Sequence, residues 1–143
     1  MEMNTLDHVT ISTNDLEATR KFYCDVLGLE VGFRPPSIAD RVKGIWLYPA
    51  DGKPRVHVIT FEEDVGEGSA AFNHFAFTAR GGDGFKAHLE KLGVAYREAS
   101  LPDIELYQIF FHDPQGIEIE VSFEGVERPR EVIEAGGKVT VAA

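Results

Sequence analysis

Two stretches of this chain carry one alternation. Leu6-Asp7-His8-Val9-Thr10-Ile11 and Phe72-Asn73-His74-Phe75-Ala76-Phe77 both run apolar, Asp or Asn, His, apolar, small, apolar. Side chains alternate across a strand, so Val9 and Ile11 share one face while His8, Thr10 and Ser12 share the other. Phe75 and Phe77 oppose His74 in the same way.

The pattern that follows the first stretch changes period. Asn14-Asp15 is a helix N-cap signal with Glu17 in the first turn, and Leu16, Phe22, Tyr23, Val26 and Leu27 recur at helical spacing until Gly28 ends the helix. Leu29–Phe33 reads as a strand, Arg34-Pro35-Pro36 opens a loop to about Lys43, and Ile45–Tyr48 and Val56–Ile59 are strands around the turn Pro49-Ala50-Asp51-Gly52. Residues 5–61 thus form one module: strand, helix, three strands. Residues 62–70, acidic and glycine-bearing without periodicity, read as a mobile linker.

The order then repeats over residues 71–123. Gly81-Gly82-Asp83-Gly84 replaces the polar loop, Phe85, Leu89 and Leu92 make the helical stripe, and Gly93 stops it. Strands are expected at Val94–Arg97, Tyr107–His112 and Ile117–Phe123, with a loop over 98–104 and a turn at Asp113-Pro114-Gln115-Gly116. Four anchors recur in order: the histidine strand, the Leu-Gly helix end, the aromatic strand (Ile45-Trp46-Leu47 and Ile109-Phe110-Phe111) and the turn glycine (Gly52 and Gly116). That is the signature of internal duplication and predicts an α+β fold of two tandem βαβββ modules. Residues 124–143, with Pro129 and Gly136-Gly137, read as a C-terminal surface extension, in which Val132-Ile133 is a candidate docking pair.

Composition narrows the partners. A net charge of −10 with no basic stripe disfavours nucleic acid. No apolar run reaches the roughly 20 residues of a membrane span, and no secretory leader is visible at the start. The single cysteine, Cys24, permits no intrachain disulfide, which fits a cytoplasmic protein; within its helix it reads as a surface or half-buried thiol.

The chemistry follows from the faces. Each helix must cover one face of its sheet, which leaves His8 and His74 on the opposite face, alongside Trp46, Tyr48, Phe110 and His112 as a lined concavity. The last strand, Ile117-Glu118-Ile119-Glu120-Val121, places two carboxylates on one face. Two imidazoles and one carboxylate from separate strands make a three-ligand set for a divalent metal that leaves positions open. Spacing alone leaves Glu118 and Glu120 as alternatives. Counted from the turn glycines, His57 is nearly equivalent to Glu120 and is a candidate fourth ligand, although alternation does not fix its face. His88 reads as solvated, His112 as supporting or surface, and Arg34 as a candidate holder of an anionic substrate group.

Leu6-Asp7-His8-Val9, Phe22-Tyr23-x-x-Val26-Leu27-Gly28-Leu29, Asn73-His74-Phe75-Ala76-Phe77 and Asp113-Pro114-Gln115-Gly116-Ile117-Glu118-Ile119-Glu120 together resemble the vicinal oxygen chelate superfamily over residues 5–123. This group includes glyoxalase I, extradiol dioxygenases, methylmalonyl-CoA epimerase, fosfomycin-resistance enzymes and bleomycin-binding proteins. The resemblance implies curved four-stranded sheets around a metal (Fe, Zn, Mn, Ni or Co) held by His8, His74 and Glu120, with a further ligand at His57. It also implies a small-molecule substrate bound through adjacent oxygens, and a homodimer that exchanges modules. The activity it suggests is glyoxalase- or isomerase-like, with Glu120 or Glu118 as base. Ring cleavage, with His112, Tyr48 or Tyr107 in support, and ligand binding without turnover are the alternatives. The expected pocket residues are Trp46, Phe110, Tyr48, Arg34 and His112.

Overall fold

The structure is a computed structural model that describes residues 1–124 and the strand 138–141. It divides into two compact units, Met1–Gly66 and Glu67–Ala143. The expected element order holds in both.

In the first unit, β1 (Val9–Thr13) leads into α1 (Leu16–Leu27), then β2 (Glu30–Val31), a short helix α2 (Pro36–Ala39), β3 (Gly44–Tyr48) and β4 (Val56–Thr60). The sheet order is β1-β4-β3-β2, with β1 parallel to β4 and the other pairs antiparallel. Asp15 caps α1 by accepting from the Ala18 N–H at 2.9 Å, and Gly28 closes it in the left-handed region. Tyr23 and Val26 of α1 are buried, as are Ile11, Leu47, Val56 and Val58 on the sheet face that α1 covers. Gly44 is required by close approach, because a Cβ there would lie 2.0 Å from the Val58 carbonyl oxygen. The stretch expected to be loop up to Lys43 contains α2, whose first residue is Pro36, a position where proline's fixed φ suits a helix start.

In the second unit, β5 (His74–Ala79), α3 (Gly82–Leu92), β6 (Tyr96–Leu101), β7 (Leu106–His112) and β8 (Glu118–Glu124) repeat the pattern in the order β5-β8-β7-β6. Leu89 of α3 is buried, and Phe85 sits 5.8 Å from Phe111 and 6.0 Å from Phe123, ring to ring. Two expectations are corrected here. The glycine run is not a loop throughout: α3 begins at Gly82, where a Cβ would lie 3.1 Å from the Tyr107 ring. Residues 98–101 are strand rather than loop, since β6 runs to Leu101 before a 3₁₀ turn at Pro102–Ile104. A ninth strand, β9 (Lys138–Val141), pairs antiparallel with β6 where a surface extension was expected. The docking proposed for Val132-Ile133 lies outside the described residues.

The linker is tied down rather than loose. The Asn14 side chain donates to the Phe61 and Glu63 carbonyls at 3.1 and 2.7 Å and accepts from the Val65 N–H. The Gly68 N–H donates to the Gln115 carbonyl at 2.8 Å, and Ser69 Oγ accepts from the Glu118 N–H. No helix among the described residues is long and apolar enough to cross a membrane.

Candidate metal centre

The first unit brings His8, His57, Trp46 and Arg34 together. Register settles the face of His57: it pairs with Thr10 on one side and Trp46 on the other, so it shares their face, away from α1. Arg55 fixes the entry to β1. It is held by Asp51 at 2.8 Å and donates to the Asp7 carbonyl at 3.0 Å, directly before His8. Asp7 Oδ2 accepts from His8 Nδ1–H at 2.6 Å, which in the neutral ring leaves Nε2 as the lone-pair nitrogen. That bond, more than the surrounding charges, holds the Asp7 carboxyl below its ordinary range. The Trp46 ring stacks near His8, at 6.1 Å between centroids, and meets His57 edge-on at 5.5 Å.

Arg34 Nη2 donates to the Val42 carbonyl at 2.7 Å and lies 3.4 Å from His57 Nε2. Burial first, then the Arg34 charge and His8, push the His57 imidazole below its ordinary pKa. The Nε–H of Arg34 and the Nε1–H of Trp46 are buried without a hydrogen-bond partner. Tyr48 is on the same face as Trp46, but its hydroxyl donates to the Phe33 carbonyl at 2.6 Å. It therefore braces the chain next to Arg34.

The second unit joins His74 and Glu120. The turn that delivers β8 is set by Asp113, whose Oδ1 accepts from the Gln115 and Ile117 N–H groups at 2.9 Å. Gly116 takes φ 82° in that turn, a conformation costly for other residues. His74 Nδ1–H donates to Asn73 Oδ1 at 2.6 Å, which in the neutral ring leaves the lone pair on Nε2. That nitrogen faces Glu120 Oε2 at 2.9 Å. Glu120 is buried, and its other oxygen accepts from Gln108 Nε2 at 2.6 Å and from the Ser122 hydroxyl.

The fit to a metal can be tested on this pair. A lone pair and a carboxylate oxygen repel each other at contact unless a proton or a cation lies between them. Two adjacent ligands at metal–donor distances near 2.1 Å stand about 3 Å apart, close to the separation found here. The pair therefore suits a shared divalent cation, with Asn73, Gln108 and Ser122 fixing the ligands from behind. Each unit alone offers only a pair of such donors. Among the described residues no group of three or more His, Cys, Asp or Glu side chains forms a complete ligand set.

The remaining candidates are placed as follows. Phe110 is buried, meets His74 edge-on at 5.7 Å, and carries the Arg97 guanidinium 3.6 Å above its ring. Glu118 is engaged by Arg97 at 2.6 Å, which separates its role from that of Glu120. His112 shares the row of Glu118 at the exposed end of β7. Tyr107 points to the α3 side and donates to buried Glu98, so it does not support a site on the other face. His88 is half-buried on α3, not fully solvated, and Cys24 is a half-buried free thiol. Asp7, Asn73, Gln108, Ser122 and Arg97 were not singled out from sequence. The Asp or Asn before each histidine was the available signal, since the repeat itself contains it.

The family described as Glyoxalase/Bleomycin resistance protein/Dioxygenase superfamily matches residues 5–121. A relative from Arabidopsis thaliana, Glyoxylase I 4, is 27% identical over 126 residues, covering 85% of this chain and 71% of its own. A protein from Bacillus anthracis placed in the glyoxalase family is 24% identical with a TM-score of 0.71, over 87% of this chain and 98% of that one. Lactoylglutathione lyase from Agrobacterium tumefaciens is 22% identical with a TM-score of 0.61, over 86% and 96%. At these identities the two structures speak to the fold.

Proposed function

The chain belongs to the glyoxalase/bleomycin resistance protein/dioxygenase superfamily, and from that premise we propose that it is a metal-dependent lyase or isomerase of the glyoxalase kind. His8, His74 and Glu120 are the proposed ligands. The observation that carries this reading is the His74–Glu120 pair, two ligand atoms 2.9 Å apart, each oriented from behind by its own hydrogen bonds.

When bound, a divalent ion supplies Lewis acidity toward two adjacent substrate oxygens. The protein supplies the rest. Asp7 and Asn73 keep the ring protons on Nδ1, so that both Nε2 atoms are free to ligate. Gln108 and Ser122 hold Glu120 Oε1 and leave Oε2 as the working oxygen, for ligation and for accepting a proton from a substrate carbon. Trp46 sets an apolar ring beside His8, and Phe110 sets one beside His74. Ring cleavage has weaker support: the hydroxyls of both candidate tyrosines are committed elsewhere, Tyr48 to Phe33 and Tyr107 to Glu98.

Superfamily members bind small molecules and often form dimers. A homodimer with exchanged modules is part of this reading, and light scattering at twice the chain mass of 15.8 kDa is its check. The enzymatic test is turnover of a methylglyoxal–thiol adduct with each candidate metal, alongside oxygen uptake on catechols. Adduct turnover that falls about a thousandfold or more in Glu120→Ala supports the proposal. Oxygen uptake on catechols without adduct turnover would replace it with a dioxygenase.

A further inference from the structure

Arg34 is an unusual cation for this protein. The chain has a net charge of −10, yet among the described residues half-buried Arg34 forms no ion pair, while half-buried Arg20, Arg55 and Lys86 each form one. Arg34 is half-buried, and its guanidinium is pinned by the Val42 carbonyl and the His57 ring, neither of them anionic. Its Nε–H has no acceptor, and neither has the Nε1–H of Trp46, which flanks the same histidine. Native proteins rarely leave buried donors unpaired without a role for them.

We infer that Arg34, with His57 and Trp46, is a recognition site for one carboxylate group of the substrate, and that His57 serves this site rather than the metal. The Nη2 of Arg34 points at His57 Nε2, the atom a metal would take, so ligation through it would bring a second cation against the guanidinium. Nη1 is neither buried nor hydrogen-bonded to a described residue, so it is the accessible donor. Held at Nη2, the planar guanidinium presents Nη1 as a fixed, charge-assisted donor to a carboxylate oxygen. One guanidinium without an ion pair among the described residues fits a singly charged group. Lys43 falls on the opposite side of β3 by alternation from Gly44 and Trp46. The word "substrate" here rests on the proposed function; carboxylate binding itself does not require the metal.

Trp46 is the single tryptophan of the chain and stands 5.5 Å from His57, so its fluorescence reports on the site. The test titrates metal-free protein, cleared over a chelating resin, with glycolate, L-lactate and the uncharged L-lactamide. It is run on the wild type, Arg34→Lys, Arg34→Met and His57→Gln, with zinc uptake measured separately on each. A saturable response to either acid is expected, with lactamide weaker by about tenfold or more. Arg34→Lys, which keeps the charge and loses the anchored planar guanidinium, is expected to weaken the acids by about tenfold, and His57→Gln to keep its zinc. Equal binding of acid and amide, no saturable response to either acid, wild-type affinity in both Arg34 variants, or loss of zinc in His57→Gln would each overturn the inference. If the acids bind as expected while the wild type takes up no zinc, the metal reading falls and the carboxylate site stands.

Discussion

At the scale of single residues, the site depends on atoms that never touch a metal. Asn73 decides which nitrogen of His74 carries its proton, and Gln108 with Ser122 decides which oxygen of Glu120 is free. Asn73→Ala is therefore expected to weaken divalent-metal affinity by about 10- to 100-fold with no change in ligand identity. Competition with a coloured chelator measures it, and unchanged affinity would show that His74 needs no such support. His57 yields a pH prediction. Its folded pKa is lowered, so below the ordinary imidazole value of 6.5 the unfolded chain takes up a proton that the folded chain refuses. Stability then rises with pH through the window from the depressed value up to 6.5, and is independent of this group above it. Urea midpoints of metal-free protein at about pH 5.5 and 7.5 should differ more in the wild type than in His57→Gln. Parallel shifts would contradict the assignment. Alternation could not place His57, because Arg55 and Ile59 beside it point to opposite conclusions about its face. Only the cross-strand pairing to Thr10 and Trp46 decides it.

At the scale of elements, most of the order was legible, since helix and strand periods differ clearly in α1, β1 and β7. The misread segments share a physical cause: polar or glycine residues whose partners lie far away in sequence. Glu98 made residues 98–104 look like a loop. In the fold it is a buried strand residue that accepts from the Tyr107 hydroxyl and pairs with Lys86 at 3.3 Å. The glycine run at residues 81–84 read as a loop, but α3 starts at Gly82, which lies against the Tyr107 ring. Asn14 looked like part of a cap, and instead its amide fastens the linker. Removing the Tyr107 hydroxyl should leave Glu98 one donor short. We expect Tyr107→Phe to lower unfolding free energy by about 1–3 kcal/mol in a urea titration, with metal affinity unchanged, since this cluster lies on the α3 side of the sheet. A wild-type midpoint would mean that Lys86 alone satisfies Glu98.

At the scale of the whole molecule, duplication is what made the site readable at all. A single strand histidine is weak evidence, and two in matched modules are stronger. In the proposed site each module would contribute an incomplete half: His8 with a carboxylate behind it, and His74 with Glu120. The sequence indicated which residues belong to these halves but not the hydrogen bonds that orient them, because those arise from cross-strand neighbours such as Gln108 and Ser122. The C-terminal strand β9 escaped notice because its place is set by backbone pairing to β6 rather than by a strong pattern of its own. The central claim is that the two halves supply one divalent metal through His8, His74 and Glu120. Metal content and affinity of the purified wild type, His8→Ala, His74→Ala and Glu120→Ala test it most directly. The account predicts one ion per chain in the wild type and a loss of about a hundredfold or more in affinity in each variant. A wild type that binds no divalent ion, or variants that all bind as it does, would contradict it.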